Sequence, residues 1–234
     1  MSQVTNVGTP SEGNKAIGGI PTVYYFNLQS RGRGEVIRLF LEDAGISFND
    51  HRLSLDAYNA MVKSGEIAKL NPLKSLPVVE IEGSKYTQSY AILRLWARQL
   101  GSYDGKTDLE RYYVDAITDI ASDWRSKWVD SAFRASDSGL GPKGDQEEIE
   151  YHKSFTISKY ASALNTHLST NPLSAGGPFV LGKEITYADF VIFQIAHDEG
   201  WAGLESNPRL KELVDGVKAR PRVADYFKSD RYFD

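Results

Sequence analysis

A polar, glycine-rich segment at residues 101–107 separates two parts of the sequence that differ in hydrophobic periodicity. Before this segment, short runs of β-branched and aromatic residues alternate with apolar stripes at helical spacing. After it, strand patterns almost vanish and apolar residues recur at helical spacing alone. The 234-residue chain is therefore predicted to contain a mixed α/β domain followed by an all-α domain, with a boundary near residue 104.

The first part shows strand and helix patterns in the order β-α-β-α-β-β-α. Strands are predicted at residues 22–26, 48–53 and 77–81, with a return strand from about residue 85. Helices are predicted at residues 35–44, 56–63 and 89–100, with Ser89 as the cap of the last one. A single sheet covered by helices is the economical packing of these elements. The polar residues 1–21 carry neither a secretory nor a transit pattern and are predicted to be a disordered tail.

The second part begins with a long amphipathic pattern from Leu109 to Trp124. A loop rich in Gly, Pro and Asp is predicted at residues 137–145, and helical patterns then resume to about residue 169. Thr186 and Asp189 have the spacing of a capping box, with Ile185 and Phe190 at the positions of a hydrophobic staple. This motif predicts a helix start and is given no chemical role.

Composition excludes several classes of function. The chain has no cysteine, which removes disulfides, thiolate metal sites and a cysteine nucleophile. The net charge of −4 and the lack of a basic stripe argue against nucleic-acid binding. No apolar run is long enough to span a bilayer. The four histidines are widely separated, and we expect no metal site.

Four features of the first part could carry chemistry, and each has a structural alternative. Tyr24 and Tyr25 end a strand, where a hydroxyl could donate to an anion or simply pack in the sheet. The segment 31–35 places two Gly and two Arg before a helix, which is a weak anion-site pattern. Pro77 begins a strand, where a cis bond would leave the Leu76 backbone free to pair with an extended peptide; an ordinary trans bond is favoured on the residues alone, because few X–Pro bonds are cis. Residues 87–90 turn a strand into a helix, where Ser89 either binds a carboxylate or only caps.

Taken together, these segments resemble the sigma class of cytosolic glutathione transferases, including the haematopoietic prostaglandin D synthase group. The resemblance runs from Thr22 almost to the end of the chain and rests on six segments in the right order, namely 25–38, 48–52, 76–80, 88–92, 113–119 and 186–189. It implies a thioredoxin-like glutathione-binding domain at residues 22–101 and an all-helical domain at 108–234 that carries the hydrophobic substrate site. It also implies a cytoplasmic homodimer with glutathione as co-substrate, and no nucleic-acid or membrane partner.

The resemblance implies a role for individual residues. Tyr25 would hydrogen-bond the glutathione sulfur, with Arg33 beside the thiolate. The peptide would be held by Tyr58, Lys63, Lys74, Leu76, a cis Pro77, Gln88, Ser89 and Asp119 of the partner subunit. A small hydrophobic electrophile would contact Leu28, Arg31, Trp124 and Trp128.

The sequence departs from the family pattern in three places. Two extra residues fall within 27–30, about six fall between Met61 and Lys74, and Ser75 replaces the usual Lys or Gln. Ser122-Asp123 replaces the adjacent acids of members that bind a divalent ion, so no such site is expected. Three alternatives stay open: a glutathione-dependent isomerase, a non-catalytic relative such as a lens crystallin, and a serine-type enzyme that uses Ser30.

Overall fold

The computed structural model describes residues 2–133 and 145–233, which divide into two compact units. One unit comprises the chain up to Ser102 together with the segment from Ala219, and the other comprises Tyr103–Lys218. The sequence analysis assigned residues 219–234 to the helical domain. The structure assigns this segment to the sheet-containing unit, because Arg220 forms a bidentate ion pair with Asp43 there and Tyr226 donates a 2.6 Å hydrogen bond to Glu35.

The first unit contains the predicted order of elements from the second strand onward. In chain order its elements are β1 (Gln3–Val7), α1 (Glu12–Ala16), β2 (Thr22–Phe26), α2 (Gly32–Ala44), β3 (Phe48–Leu53), α3 (Leu55–Ser64), α4 (Glu66–Leu70), β4 (Val78–Ile81), β5 (Ser84–Thr87), α5 (Ser89–Leu100) and α11 (Pro221–Phe227). The short α4 lies in the region where the sequence is longer than its family pattern. Helix α5 begins at Ser89 with Gln88 as its cap residue, so the prediction of Ser89 as the cap is wrong by one position.

The five strands form one sheet in the order β1-β3-β2-β4-β5. Strands β2 and β3 are parallel, and the other neighbours are antiparallel. In this register Tyr25 lies beside Arg52 on the same face of the sheet. Strands β4 and β5 form the predicted hairpin, and its turn residues Glu82 and Gly83 have φ values of 47° and 77°, as a type I′ turn requires.

Helix α2 supplies the centre of this unit's core and packs against β2, α5 and α11. Its apolar stripe is fully buried and consists of Val36, Ile37, Leu39, Phe40 and Leu41. The helix starts at Gly32, three residues before the predicted start at residue 35. The low helix propensity of Gly32 and Gly34 conceals this first turn in the sequence pattern.

The prediction of a disordered tail at residues 1–21 is wrong. Strand β1 pairs antiparallel with β3 over five residues, and α1 follows it. Asn14 explains how so polar a segment is ordered: its buried side chain accepts from the Ser47 amide and donates to the Ser47 and Gly19 carbonyls. The segment is held largely by backbone and amide hydrogen bonds, with only Val7 and Ile17 buried as large apolar side chains, so hydrophobic patterning does not detect it.

The second unit is helical, as predicted. Its helices are α6 (Asp108–Trp128), α7 (Gln146–Tyr151), α8 (Ile157–Thr170), α9 (Tyr187–Asp198) and α10 (Pro208–Lys218). Single π-helical turns occupy Val129–Phe133 and His152–Thr156. The loop predicted at 137–145 lies outside the described residues apart from Asp145, which caps α7 through the Glu147 amide. Among the helices that the structure describes, none is long and apolar enough to cross a membrane.

The capping box at the start of α9 is confirmed. The Asp189 carboxylate accepts hydrogen bonds from the amides of Val180 and Thr186, at 2.8 Å and 2.7 Å, and from the Thr186 hydroxyl at 2.8 Å. Ile185 and Phe190 are both buried at the staple positions. Burial nevertheless raises the pKa of Asp189 to about 7, although the three donors lower it.

This raised pKa predicts a pH dependence of stability. Below about pH 4 both the folded and the unfolded chain hold this proton, and between about pH 4 and pH 7 only the folded chain does. The contribution of Asp189 to the free energy of unfolding is therefore largest at low pH and is lost as the pH rises to about 7. In urea unfolding, the wild type should have a higher free energy of unfolding than Asp189→Asn at about pH 4.5, and this difference should become smaller as the pH rises to about 7.5. The interval of about three pH units spans the loss. If the difference in the free energy of unfolding grew over that interval, Asp189 would not be protonated in the folded protein.

Candidate functional site

Tyr25 lies near the end of β2, with its ring packed under the first turn of α2. The side chain is only 8% exposed. A Cβ atom placed on Gly32 would lie 2.5 Å from the Tyr25 hydroxyl oxygen, and one placed on Gly34 would lie 2.1 Å from the ring carbon Cγ. Only glycine permits this approach, and Gly32 also has a φ of 77°. The two glycines therefore bring the helix backbone directly onto the tyrosine.

The start of α2 gives the hydroxyl an electropositive surrounding. Arg31 is the extended cap residue of the helix, and its side chain is exposed, whereas Arg33 in the first turn is half-exposed. The first amide groups of a helix carry a partial positive charge that favours an anion. An anion that accepts from the Tyr25 hydroxyl would lie beside this helix end.

A buried network of charges adjoins the Tyr25 ring. The Arg38 guanidinium is 5.8 Å from the ring centroid and forms ion pairs with Glu35 at 3.0 Å and Asp50 at 2.9 Å. Asp50 also pairs with Arg52 at 2.7 Å. Burial lowers the pKa of Arg38, but the Asp50 and Glu35 carboxylates raise it above its usual value. The network fixes α2 against β3 and so fixes the floor of the site.

Tyr58, the residue predicted to contact the glycyl carboxylate, is bonded within the protein. Its hydroxyl donates a 2.7 Å hydrogen bond to the carbonyl of Lys74, and its ring meets Phe26 edge-on at 4.9 Å. Lys74 itself has a φ of 55°, and its side chain and that of Lys63 are exposed.

The next two predicted segments also lie in this unit. The Leu76–Pro77 peptide bond is cis, as the sequence resemblance implied, and Leu76 is half-exposed two residues before β4. Gln88 caps α5 with a φ of 69° and a ψ of 92°, and its side chain is exposed, whereas Ser89 is buried. In the described structure the Gln88 side chain accepts no hydrogen bond from the first turn of α5. A left-handed residue other than glycine costs about 1–3 kcal/mol, which is typical of functional sites.

The residues predicted for the hydrophobic substrate are distributed over both units. Leu28 is half-exposed and Arg31 is exposed in the first unit. Trp124 in the second unit is 0% exposed, and its indole donates a 2.8 Å hydrogen bond to Glu199. Trp128 is also buried, with the Arg125 guanidinium 5.1 Å from its ring. Trp124 packs in the helical core, and in this structure its fully buried ring offers no surface to a substrate.

Asp119, predicted to act in the partner subunit, has an exposed side chain on α6. Asp115, one turn earlier, instead accepts a hydrogen bond from the Tyr187 hydroxyl. Among the described residues, no group of three or more His, Asp or Glu side chains is arranged to hold a metal ion.

Comparison with known proteins agrees with this fold. The model of the glutathione S-transferase N-terminal domain matches residues 21–97, and that of the C-terminal domain matches residues 122–230. Probable glutathione S-transferase 8 of Caenorhabditis elegans is 30% identical over 195 residues, or 81% of this chain and 84% of that protein. The chain belongs to the glutathione S-transferase family.

Two further relatives place the chain beside the sigma-like members, and a solved structure shares its fold. S-crystallin 3 of Enteroctopus dofleini is 27% identical over 215 residues, 88% of this chain and 95% of that protein. Human hematopoietic prostaglandin D synthase is 28% identical over 215 residues, 87% and 93% of the two chains. The crystal structure of a C. elegans glutathione S-transferase has a TM-score of 0.73 at 27% identity and covers 90% of this chain and 97% of its own.

Proposed function

We propose that this protein binds glutathione and activates its thiol as a thiolate, through a hydrogen bond from the Tyr25 hydroxyl, for attack on a small apolar electrophile. The observation that supports this proposal is the position of the hydroxyl against the Gly32 backbone at the start of α2. Tyr25 acts as a donor and not as a base, since a phenol is protonated at neutral pH.

The required stabilisation is within reach of these groups. A free thiol has a pKa of about 8.5, and lowering it by about two units takes roughly 2.7 kcal/mol. One hydrogen bond to a charged group contributes about 1.5–3 kcal/mol. The helix terminus adds about 0.3–1 kcal/mol, and Arg33 adds Coulomb attraction.

The peptide portion of glutathione needs contacts at both ends. We assign the γ-glutamyl carboxylate to Gln88, Ser89 and the first amides of α5, and the cysteinyl backbone to Leu76 just before Pro77. The glycyl carboxylate is assigned to Lys74, with Lys63 nearby. Tyr58 then acts indirectly, because its hydroxyl holds the Lys74 carbonyl.

The serine-type alternative receives no support from the site. Ser30 is fully buried, and its hydroxyl oxygen accepts a 2.9 Å hydrogen bond from the Phe233 amide. A thiolate would need that oxygen to be reachable from solvent. Tyr25, beside the helix terminus, is the better donor.

A second candidate function uses the same thiolate. One relative is named a prostaglandin D synthase, and an isomerase of that kind would release glutathione unchanged. A panel of electrophiles, scored for glutathione conjugates and for products of unchanged mass, separates the two reactions. A chain that binds no glutathione in calorimetry would instead match the crystallin-like alternative.

The role of Tyr25 predicts a specific effect of removing its hydroxyl. Tyr25→Phe should raise the pKa of the bound thiol by about two units, toward 8.5, and change glutathione affinity only a few-fold, about 1 kcal/mol. Ultraviolet absorbance of the thiolate, titrated against pH, measures this shift. The matched control is Tyr24→Phe, because Tyr24 lies on the opposite face of the sheet and its hydroxyl contacts Glu80 at 3.4 Å. If the control shifts the pKa and Tyr25→Phe does not, the assignment is wrong.

The left-handed backbone of Gln88 predicts that replacing this residue by glycine stabilises the fold but weakens glutathione binding. Gln88→Gly should raise the free energy of unfolding by about 1 kcal/mol by relieving strain, and weaken glutathione binding about tenfold. Glu82→Gly relieves similar strain in the β4–β5 turn, where φ is 47°, and should leave binding unchanged. Denaturant unfolding and calorimetry give both values. If Gln88→Gly bound glutathione with the wild-type affinity, the Gln88 side chain would not belong to the binding site.

Assembly is the last part of this proposal: a homodimer in which Asp119 of each subunit reaches the γ-glutamyl amine bound to the other. Leu109 and Tyr112 on α6 are 65% and 68% exposed, as large apolar side chains at an interface would be in the separated chain. Asp119→Asn should weaken glutathione binding roughly tenfold, about 1.4 kcal/mol, with little effect on the thiol pKa.

A mixed dimer tests whether Asp119 acts across the interface. When one subunit carries Asp119→Asn and the other Tyr25→Phe, one site has both lesions and the other has none. About half of the wild-type activity should then remain, as the two sites act independently. Activity far below half would place Asp119 in its own subunit's site, and a monomer in light scattering would refute the assembly.

A further inference from the structure

The segment after α11 is bonded to the loop between β2 and α2. We call residues 229–233 the terminal strap. The Ser30 amide donates to the Phe233 carbonyl at 2.9 Å, and the Phe233 amide donates to the Ser30 hydroxyl oxygen at 2.9 Å. Ser30 is fully buried at this contact. Two residues that are 203 positions apart in the sequence thus form a reciprocal pair of hydrogen bonds.

The strap has two further anchors in the same unit. Arg52 donates a 2.9 Å hydrogen bond to the Arg231 carbonyl, and its guanidinium lies 5.2 Å from the Phe233 ring centroid. Arg231 forms an ion pair with Glu42 of α2. Because Arg52 lies beside Tyr25 in the sheet and pairs with Asp50, the strap is attached to the same buried charges that support the tyrosine.

The loop that the strap holds is the one that leads to the Tyr25 hydroxyl. Ser30 is followed by Arg31 and then by Gly32, whose backbone lies against that hydroxyl. Residues 27–31 of this loop belong to no helix or strand, and Gln29 has a φ of 57°. A loop without regular structure has more conformational freedom, and an external tie reduces that freedom.

We propose that the terminal strap is a positioning element for thiol activation, in which the Ser30–Phe233 hydrogen bonds hold the 27–31 loop so that the first turn of α2 stays on the Tyr25 hydroxyl. The inference rests on the proposed function of Tyr25. Ser30 and Phe233 are positioning residues, since neither reaches the sulfur. The groups that bind the carboxylates of glutathione lie elsewhere, so the strap affects the thiol more than the affinity.

Two variants of the full chain break the tie from opposite ends. Ser30→Ala removes the hydroxyl oxygen, and a chain that ends at Tyr232 removes Phe233 while Ser30 stays intact. Each should raise the pKa of the bound thiol by about half a unit to one unit, which is about a three- to tenfold fall in the ratio of thiolate to thiol. The dissociation constant of glutathione should change by less than about threefold. Ser169→Ala, an exposed serine of α8, is the matched control and should change neither value.

The double variant decides whether the two residues act together. Residues that share one interaction are not additive, so Ser30→Ala in the shortened chain should shift the thiol pKa no further than the shortening alone. The proposal would be overturned if the two shifts in the thiol pKa added, or if the shortened chain kept the wild-type thiol pKa. If the shortened chain kept the wild-type value while Ser30→Ala shifted it, the result would favour a direct role for Ser30. Tyr25→Phe is measured in parallel. If it leaves the thiol pKa unchanged, the proposed function and the strap fail together, whereas a shift in Tyr25→Phe alone refutes only the strap.

Discussion

The close approach of the first turn of α2 to the Tyr25 ring is the contact on which the rest of the site depends. It requires glycine at positions 32 and 34, because a side chain at either would collide with the tyrosine. It also requires that the helix be held down against the sheet, since nothing in a glycine turn supplies packing of its own. The geometry of the site therefore depends on the contacts that hold α2 against the sheet.

Buried charges provide that attachment. Glu35 and Arg38 of α2, Asp50 and Arg52 of β3, and Tyr226 of α11 form one hydrogen-bonded chain. Burial, and then the Glu35 carboxylate, raise the pKa of Tyr226 well above its usual value, so its hydroxyl keeps the proton that it donates. Removing one member of such a network leaves an uncompensated buried charge, at a cost of about 3–5 kcal/mol. The network also explains why the segment from Ala219 belongs to the sheet-containing unit.

Sequence patterns predicted the elements that depend on apolar burial or on turn chemistry. The strand at Tyr25, the Glu82-Gly83 hairpin and the capping box at Asp189 all follow from local rules. The patterns failed where polar groups do the ordering. The segment around Asn14 and the partner of Trp124, Glu199, are fixed by hydrogen bonds between distant residues, which periodicity cannot register.

The candidate site shows the same division. The resemblance located Tyr25, the cis Leu76–Pro77 bond and the Gln88-Ser89 turn, because these lie in short contiguous motifs. It did not reveal that the Tyr58 hydroxyl is bonded to Lys74, or that Ser30 is bonded to Phe233. The first contact crosses a region where the chain is longer than its family pattern. The second joins residues that are far apart in sequence, and only three-dimensional proximity brings them together.

The central claim is that glutathione is bound as a thiolate, and proton release on binding tests it without any variant. Calorimetric titration of the wild-type protein with glutathione at pH 7, in two buffers of different ionisation enthalpy, counts the protons released. A thiol whose pKa falls from about 8.5 to about 6.5 should release most of one proton per site. S-methylglutathione, which has no thiol proton, should bind without that release. Equal proton release by the two ligands, or none by glutathione, would contradict the account.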